Sequence, residues 1–224
     1  DVRNQCSGFL YGLEVADAFI KTGHYEKILL VGTEIHSTGL QVNDQGRDTA
    51  VLFGDGAGVA ILGPTDDPDR GVLAVRTHAD GKHAEKLWAP APACIKMPFI
   101  SVEDIEQGLA RPFMNGREVF RHAVTRMPES VNEVLDEAGL TIDDVNLLIP
   151  HQANLRISQM VQKKLGLSDD RVYNNIMRYG NTTAATIPIA LSEAIDEGRI
   201  ERGDLVAFTA FGSGFTWGGA LIRW

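Results

Sequence analysis

The sequence is short of positive charge. Lys and Arg number 21 against 30 Asp and Glu, a net charge of −9 over 224 residues. A broad grip on nucleic acid phosphates is therefore not expected, nor is a polybasic membrane anchor. Long hydrophobic runs are missing: the longest are a handful of residues, such as Ile28–Val31, so no bilayer-spanning segment is expected. Cysteine is scarce. Cys6 and Cys94 cannot make a disulfide scaffold or a Cys-only zinc site, and a reducing, cytoplasmic setting follows. The histidines His24, His36, His78, His83 and His122 show neither i,i+4 pairs nor an H-E-x-x-H motif, so no metal site is expected. No G-x-G-x-x-G opens a helix, which argues against a dinucleotide site. The chain begins on Asp1 rather than Met with no signal-peptide pattern ahead of it, as if it started mid-architecture.

What is present reads as an alternating α/β chain. Hydrophobic residues make up 44% and charged residues 23%, ordinary for a globular core. Phe9, Leu13, Ala16 and Ile20 recur at helical spacing over 6–22, and Gly23 stops the pattern. Lys27–Thr33 is a nearly all-apolar run that predicts a strand buried on both faces. Ala50–Phe53 and Gly58–Leu62 are strand candidates around G-D-G-A-G. The polar, Pro- and Gly-rich stretch 63–71 marks a domain boundary, giving units 1–64 and 65–224. Val72–His78 is a further strand. Residues 79–115 read as an irregular excursion with one short helix near 101–109. Arg117–Ala138 is mostly helical with a break or kink expected at Pro128. Strands at 146–149, 205–211 and 220–224 and helices at 155–165 and 182–197 complete the pattern, with a kink expected at Pro188.

An internal repeat sharpens this. F-G-D-G at 53–56 resembles F-G-S-G at 211–214, and each lies between apolar strands. Cys6 stands 17 positions before the helix stop Gly23, and Asn181 stands 17 before Gly198. Two copies of one helix–strand–turn–strand unit would put Cys6 and Asn181 at equivalent helix starts.

Several residues could carry chemistry. Cys6 lies at a helix N-terminus, where unpaired N–H groups and the helix dipole favour an anion, so a lowered thiol pKa is expected. The alternative is a buried, inert cysteine. His151, in H-Q-A-N, ends a strand, where ligand-facing groups of open α/β sheets gather; a surface histidine is the alternative. Asn181, Thr182 and Thr183 are three good helix caps in a row, more than capping alone requires. F-G-S-G-F at 211–215 has glycines that let backbone N–H groups converge, as an oxyanion hole demands, although a tight turn would look the same. Asp55 reads as a structural turn acid.

Taken together, C-S-G-F-x-Y-G-L from Cys6, H-Q-A-N-L-R-I from His151, G-N-T-T-A-A-T-I-P from Gly180 and A-F-G-S-G-F-T-W-G from Ala210 resemble the motifs of the β-ketoacyl-acyl carrier protein synthase III family, in that family's order. The resemblance implies a thiolase-like duplicated fold, a five-layer αβαβα sandwich with its first unit incomplete. It implies an acyltransferase in which Cys6 takes an acyl group from an acyl-CoA, acetyl-CoA first, and condenses it with malonyl-acyl carrier protein to initiate fatty acid synthesis. His151 and Asn181 would donate hydrogen bonds to the malonyl thioester oxygen, and the N–H groups of Cys6 and Ser213 would form the oxyanion hole beside Phe211. Arg47, Gly116, Phe120 and Asn154 align with coenzyme A or pantetheine contacts, and Arg156 with a basic patch that meets the acidic carrier protein. The implied enzyme is a homodimer with no cofactor beyond its coenzyme A thioester substrate, no metal, and no nucleic acid or membrane partner.

The chain departs from the family pattern in places. Ser213 replaces a common glycine but keeps its amide, and 79–115 is long enough to reshape the substrate mouth. The family has roughly a hundred residues before the nucleophile where this chain has five. Related enzymes of polyketide or quinolone synthesis, a Cys–His–Asn hydrolase and a non-catalytic partner subunit are the competing readings.

Overall fold

The computed structural model describes residues 2–44 and 46–224. The first helix, α1 (Gly8–Lys21), buries Phe9, Leu13 and Ala16 on one face, and Gly23 ends it in the left-handed conformation (φ 70°). Strands β1 (Ile28–Glu34) and β2 (Gly56–Leu62) pair antiparallel, with Gly32 opposite Gly58. Between them lies α2 (Arg47–Ala50). The expectation of a strand at 50–53 fails here. The chain turns through a single helical turn, and Phe53 makes only an isolated bridge to Asn181.

Past the polar stretch 63–71 the chain enters a second sheet. Strand β3 (Gly71–Ala79) lies at its edge in the order β3-β8-β7-β6, with β6 (Leu147–Pro150), β7 (Leu205–Gly212) and β8 (Thr216–Arg223). β6 and β7 run parallel and the other pairs antiparallel. The strand period of two divides β7 cleanly. Leu205, Ala207 and Phe211 pack into one core with α4 (Gly116–Ala138) and α5 (Leu155–Leu165). Val206, Phe208 and Ala210 pack into a second core with α1 and α7 (Thr186–Asp196). The order through the molecule is thus ribbon β1–β2, helices α1 and α7, four-stranded sheet, helices α4 and α5. These are four of the five layers expected.

Burial on both faces holds for β6 and β7 but not for β1. There one face meets α1, while Leu29 on the other is 62% exposed, as is Ile61 of β2 at 77%. Two proline expectations are corrected. α4 runs through Pro128 without a break, and two residues on the Ser130 hydroxyl meets Thr209 Oγ1 and the Gly218 carbonyl of the sheet. Pro188 is the third residue of α7, after a 3₁₀ turn at Thr183–Ala185, so its missing N–H falls among those a helix start leaves unpaired and no kink is required. The excursion 79–115 holds a 3₁₀ turn at Gly81–Lys86, a two-stranded ribbon of β4 (Leu87–Trp88) and β5 (Phe113–Met114), and α3 (Val102–Glu106) between them. A last short helix, α6 (Ile176–Tyr179), leads into Gly180.

The two halves of the repeat meet crosswise. Gly54, in the first F-G-x-G, lies so close to the other half that a Cβ would stand 2.1 Å from the Tyr179 carbonyl, and its N–H donates to the Asn181 carbonyl. Gly212, in the second, lies against Cys6, where a Cβ would stand 2.5 Å from the cysteine Cβ. Each glycine motif therefore seats the helix start of the other unit, and only glycine permits that approach.

Candidate active site

Cys6 and Asn181 line one cavity of about 360 Å³. Cys6 is 7% exposed and sits one residue before the Ser7 cap of α1. The backbone N–H groups of Cys6 and Ser213 lie close enough to the sulfur to favour its anionic form. Ser213 is placed by the turn between β7 and β8, and its hydroxyl donates to Gln5 Oε1 at 3.0 Å. Asn181 is 5% exposed and tied on both backbone sides, its N–H to the Leu52 carbonyl and its carbonyl to the Gly54 N–H. Its Oδ1 accepts from the Thr183 N–H at 2.9 Å, so Nδ2 is the end left to donate. Thr183 adopts a left-handed φ of 47°, unusual for a β-branched residue, and its hydroxyl donates to Glu34 Oε2 at 2.6 Å.

His151 is not on the cavity wall. It is 2% exposed at the end of β6, its N–H donating to the Thr209 carbonyl. Nδ1 lies 2.7 Å from Thr186 Oγ1, while the buried Nε2 has no hydrogen-bond partner among the described residues. The Thr186 hydroxyl also lies 2.9 Å from the Thr183 carbonyl, and it has one hydrogen to give. Given to Nδ1, it leaves the proton on Nε2. Given to the carbonyl, it makes Nδ1 the donor and leaves Nε2 with a lone pair.

The electrostatics overturn one expectation. Burial, with the Glu34 charge adding to it, pushes the Cys6 thiol up to about 12, and the two backbone N–H groups recover only part of that rise. The cysteine rests as a thiol, not the thiolate expected of a helix N-terminus. The helix start is local, whereas the burial that outweighs it is tertiary. Burial also holds His151 down at about 3, so the imidazole is neutral.

The other candidate residues divide. Phe211, Gly116, Phe120 and Asn154 line the cavity with Cys6. Asn154 also caps α5 through Oδ1 and the Arg156 N–H. Arg156 is exposed, between the cavity-lining Asn154 and Ile157, and so stands at the rim. Arg47 is exposed on α2 and is not among the lining residues. Gln152 is structural: its Nε2 donates to the Pro150 carbonyl and its Oε1 accepts from the Asn175 and Ile176 N–H groups. Asp55 takes the N–H groups of His36 and Ser37, which fits a turn acid, and hydrogen bonds from Ser37 keep its carboxyl below the usual range. Sequence reasoning missed Glu34 and His36, which line the cavity from the end of β1; their place at a strand's carboxyl end was the available signal. It also missed the wall formed by Leu87, Trp88 and Met114. Among the described residues no group of three or more His, Cys, Asp or Glu is placed to hold a metal ion, and no helix is long and apolar enough to cross a membrane.

The family model for 3-oxoacyl-acyl-carrier-protein synthase III matches residues 1–81, and the one for its C-terminal part matches 135–224. A beta-ketoacyl-acyl-carrier-protein synthase III of Desulfotalea psychrophila is 44% identical over 224 residues, all of this chain and 67% of the relative. The chain belongs to the beta-ketoacyl-acyl-carrier-protein synthase III family. The synthase III of Roseiflexus castenholzii is 46% identical, again over all of this chain and 66% of the relative. The crystal structure of 3-oxoacyl-acyl-carrier-protein synthase III from Aquifex aeolicus superposes with a TM-score of 0.88 at 42% identity, covering 99% of this chain and 65% of that one. The fold is thus the thiolase-like fold of the synthase III family. The chain spans about two thirds of the length of these relatives.

Proposed function

We propose that this chain carries the active site of a decarboxylative condensing enzyme. In this reading, it joins an acyl-CoA, acetyl-CoA first, to malonyl-acyl carrier protein and so starts fatty acid synthesis. The observation that carries the reading is the cysteine in the cavity, with Ser213 and Asn181 lining the same cavity.

The Cys6 thiol attacks the acyl-CoA carbonyl. The sulfur–carbon bond to coenzyme A breaks, the acyl group stays on Cys6, and the thiol proton leaves with coenzyme A. With Cys6 a neutral thiol, its proton passes to the departing coenzyme A sulfur as that bond breaks. The N–H groups of Cys6 and Ser213 hold the oxyanion of the tetrahedral intermediate. Malonyl-carrier protein then loses carbon dioxide. The enolate charge on its thioester oxygen is met by Asn181 Nδ2 and by His151 with the proton on Nε2, the form set when Thr186 donates to Nδ1. The enolate carbon attacks the acyl carbonyl, the Cys6–acyl bond breaks, and the released thiolate takes up the proton that decarboxylation consumes.

We assign Phe211 to the cysteine's flank, Gly116, Phe120 and Asn154 to the pantetheine path, and Arg47 to a coenzyme A contact from outside the cavity. Arg156 at the rim meets the acidic carrier protein. The chain divides functionally into 1–64, carrying the nucleophile, and 65–224, carrying His151 and Asn181. The working enzyme is a cytoplasmic homodimer with no cofactor of its own.

The test is to incubate the intact protein with labelled acetyl-CoA and malonyl-carrier protein. Labelled ketoacyl-carrier protein that vanishes in Cys6→Ala supports the proposal. Free labelled acetate with no ketoacyl product refutes it in favour of a hydrolase.

A further inference from the structure

His36 carries a polar atom with no evident task. It follows Glu34 by two residues at the end of β1 and lines the same cavity as Cys6. Its position is held from three sides. Its N–H donates to Asp55 Oδ1 at 2.7 Å, its ring lies on Phe53 with centroids 4.4 Å apart, and Glu34 Oε2 stands 3.8 Å from Nε2. That last separation is too long for a hydrogen bond. Nε2 is buried yet finds no hydrogen-bond partner among the described residues. A buried nitrogen left unpaired is costly, and a fixed one on a cavity wall is a place for a ligand atom.

The chemistry of the pair selects the ligand. An oxygen about 2.8 Å from each of two atoms 3.8 Å apart makes two ordinary hydrogen bonds. A hydroxyl meets both partners when the histidine proton sits on Nε2, because it then donates to the Glu34 carboxylate while accepting from Nε2–H. A carboxylate would face the negative charge of Glu34, and an ammonium offers nothing to an Nε2–H donor. Glu34 and His36 line the same cavity as Cys6, and the Glu34 charge acts on the sulfur, so an acyl group carried by Cys6 shares the cavity with this oxygen.

We propose that His36 and Glu34 form a hydroxyl-recognition site for the acyl group, so that this enzyme favours acyl-CoA substrates bearing a hydroxyl on one of the first carbons beyond the thioester. The assignment rests on the condensing reading above and deepens it. His36 acts by binding and takes no part in bond making.

The experiment compares acylation of Cys6 in the intact protein by 3-hydroxybutyryl-CoA, each enantiomer, and by butyryl-CoA, followed by mass spectrometry of the Cys6 peptide. The expected result is a kcat/KM for the better hydroxy enantiomer about tenfold or more above that for butyryl-CoA. His36→Leu should bring the ratio to about one, and His36→Gln, which keeps a donor and an acceptor, should restore part of it. A wild-type ratio of one or below overturns the proposal, whether or not the variants fold. So does a ratio that His36→Leu leaves intact. Acylation by butyryl-CoA without the hydroxyl preference refutes this inference alone. If neither these substrates nor acetyl-CoA acylates Cys6, the condensing reading itself falls, and this assignment with it.

Discussion

A methyl group at Gly212 would collide with the residue it faces. Its Cβ would stand 2.5 Å from Cys6 Cβ and 3.2 Å from both the Cys6 nitrogen and sulfur. Ordinary carbon contacts lie at about 3.5–4.0 Å, so Gly212→Ala must push the cysteine or the end of β7 by about 1 Å. Both are buried, and overpacking of this kind costs about 1–3 kcal/mol, roughly 2–12 °C in Tm for a chain of this size. The larger effect falls on rate. Ser213, the next residue, supplies a backbone N–H that favours charge at the sulfur, and a displacement of about 1 Å in a positioned group costs roughly 100-fold. The assay is the rate of Cys6 acylation by acetyl-CoA, measured well below the variant's Tm. Gly81→Ala, where nothing stands within 4 Å of the new Cβ, is the control and should keep stability within about 0.5 kcal/mol of wild type. A folded Gly212→Ala protein acylated at the wild-type rate would refute the geometry on which the site is built.

Other outcomes follow from the same groups. His151 is held neutral at about 3 against 6.5 for a free imidazole. Its depressed value stabilises the folded state above pH 6.5, and that stability drains as pH falls toward 3, at about 1.4 kcal/mol per unit. Denaturant titrations at pH 7 and pH 5 should therefore show a loss about 2 kcal/mol larger in the wild type than in His151→Gln; equal losses would contradict the burial argument. With Cys6 near 12, roughly one part in 10⁵ is thiolate at pH 7, so iodoacetamide should label exposed Cys94 first, and peptide mapping that finds Cys6 labelled faster would refute the resting thiol. Arg156→Glu should raise KM for malonyl-carrier protein about tenfold at low salt, more than for acetyl-CoA, with the difference shrinking as salt rises; a salt-independent effect would count against a charge contact.

The sequence was most legible where local pattern and tertiary packing agree. The apolar runs Leu147–Ile149 and Leu205–Phe211 read as strands, and they are, both fully buried. The matched spacing ahead of Gly23 and Gly198 pointed to paired helix starts, and the crosswise seating of Gly54 and Gly212 gives that pairing a physical form. What failed depends on neighbours far along the chain. The apolar run in β1 looks the same whether one face or both are covered, and the pattern holds no record of the bare face at Leu29. Pro188 was misjudged because the helix start lies four residues later than its polar caps suggest. The Cys6 thiol was misjudged for the reason given above: its helix start is written locally, but the burial around it is contributed by β7, Glu34 and the cavity wall. Trp88 and Met114 reach the cavity through a ribbon of two residues per strand, too short to leave a period.

The central claim is that Cys6 carries the acyl group between two substrates. It is tested most directly by the mass of the Cys6 peptide after acetyl-CoA alone, and again after malonyl-carrier protein is added. The account predicts a gain of one acetyl group on Cys6 in the first sample and its loss in the second, matched by ketoacyl-carrier protein. An unmodified Cys6 peptide in the first sample, or an acetyl group that malonyl-carrier protein does not remove, would contradict it.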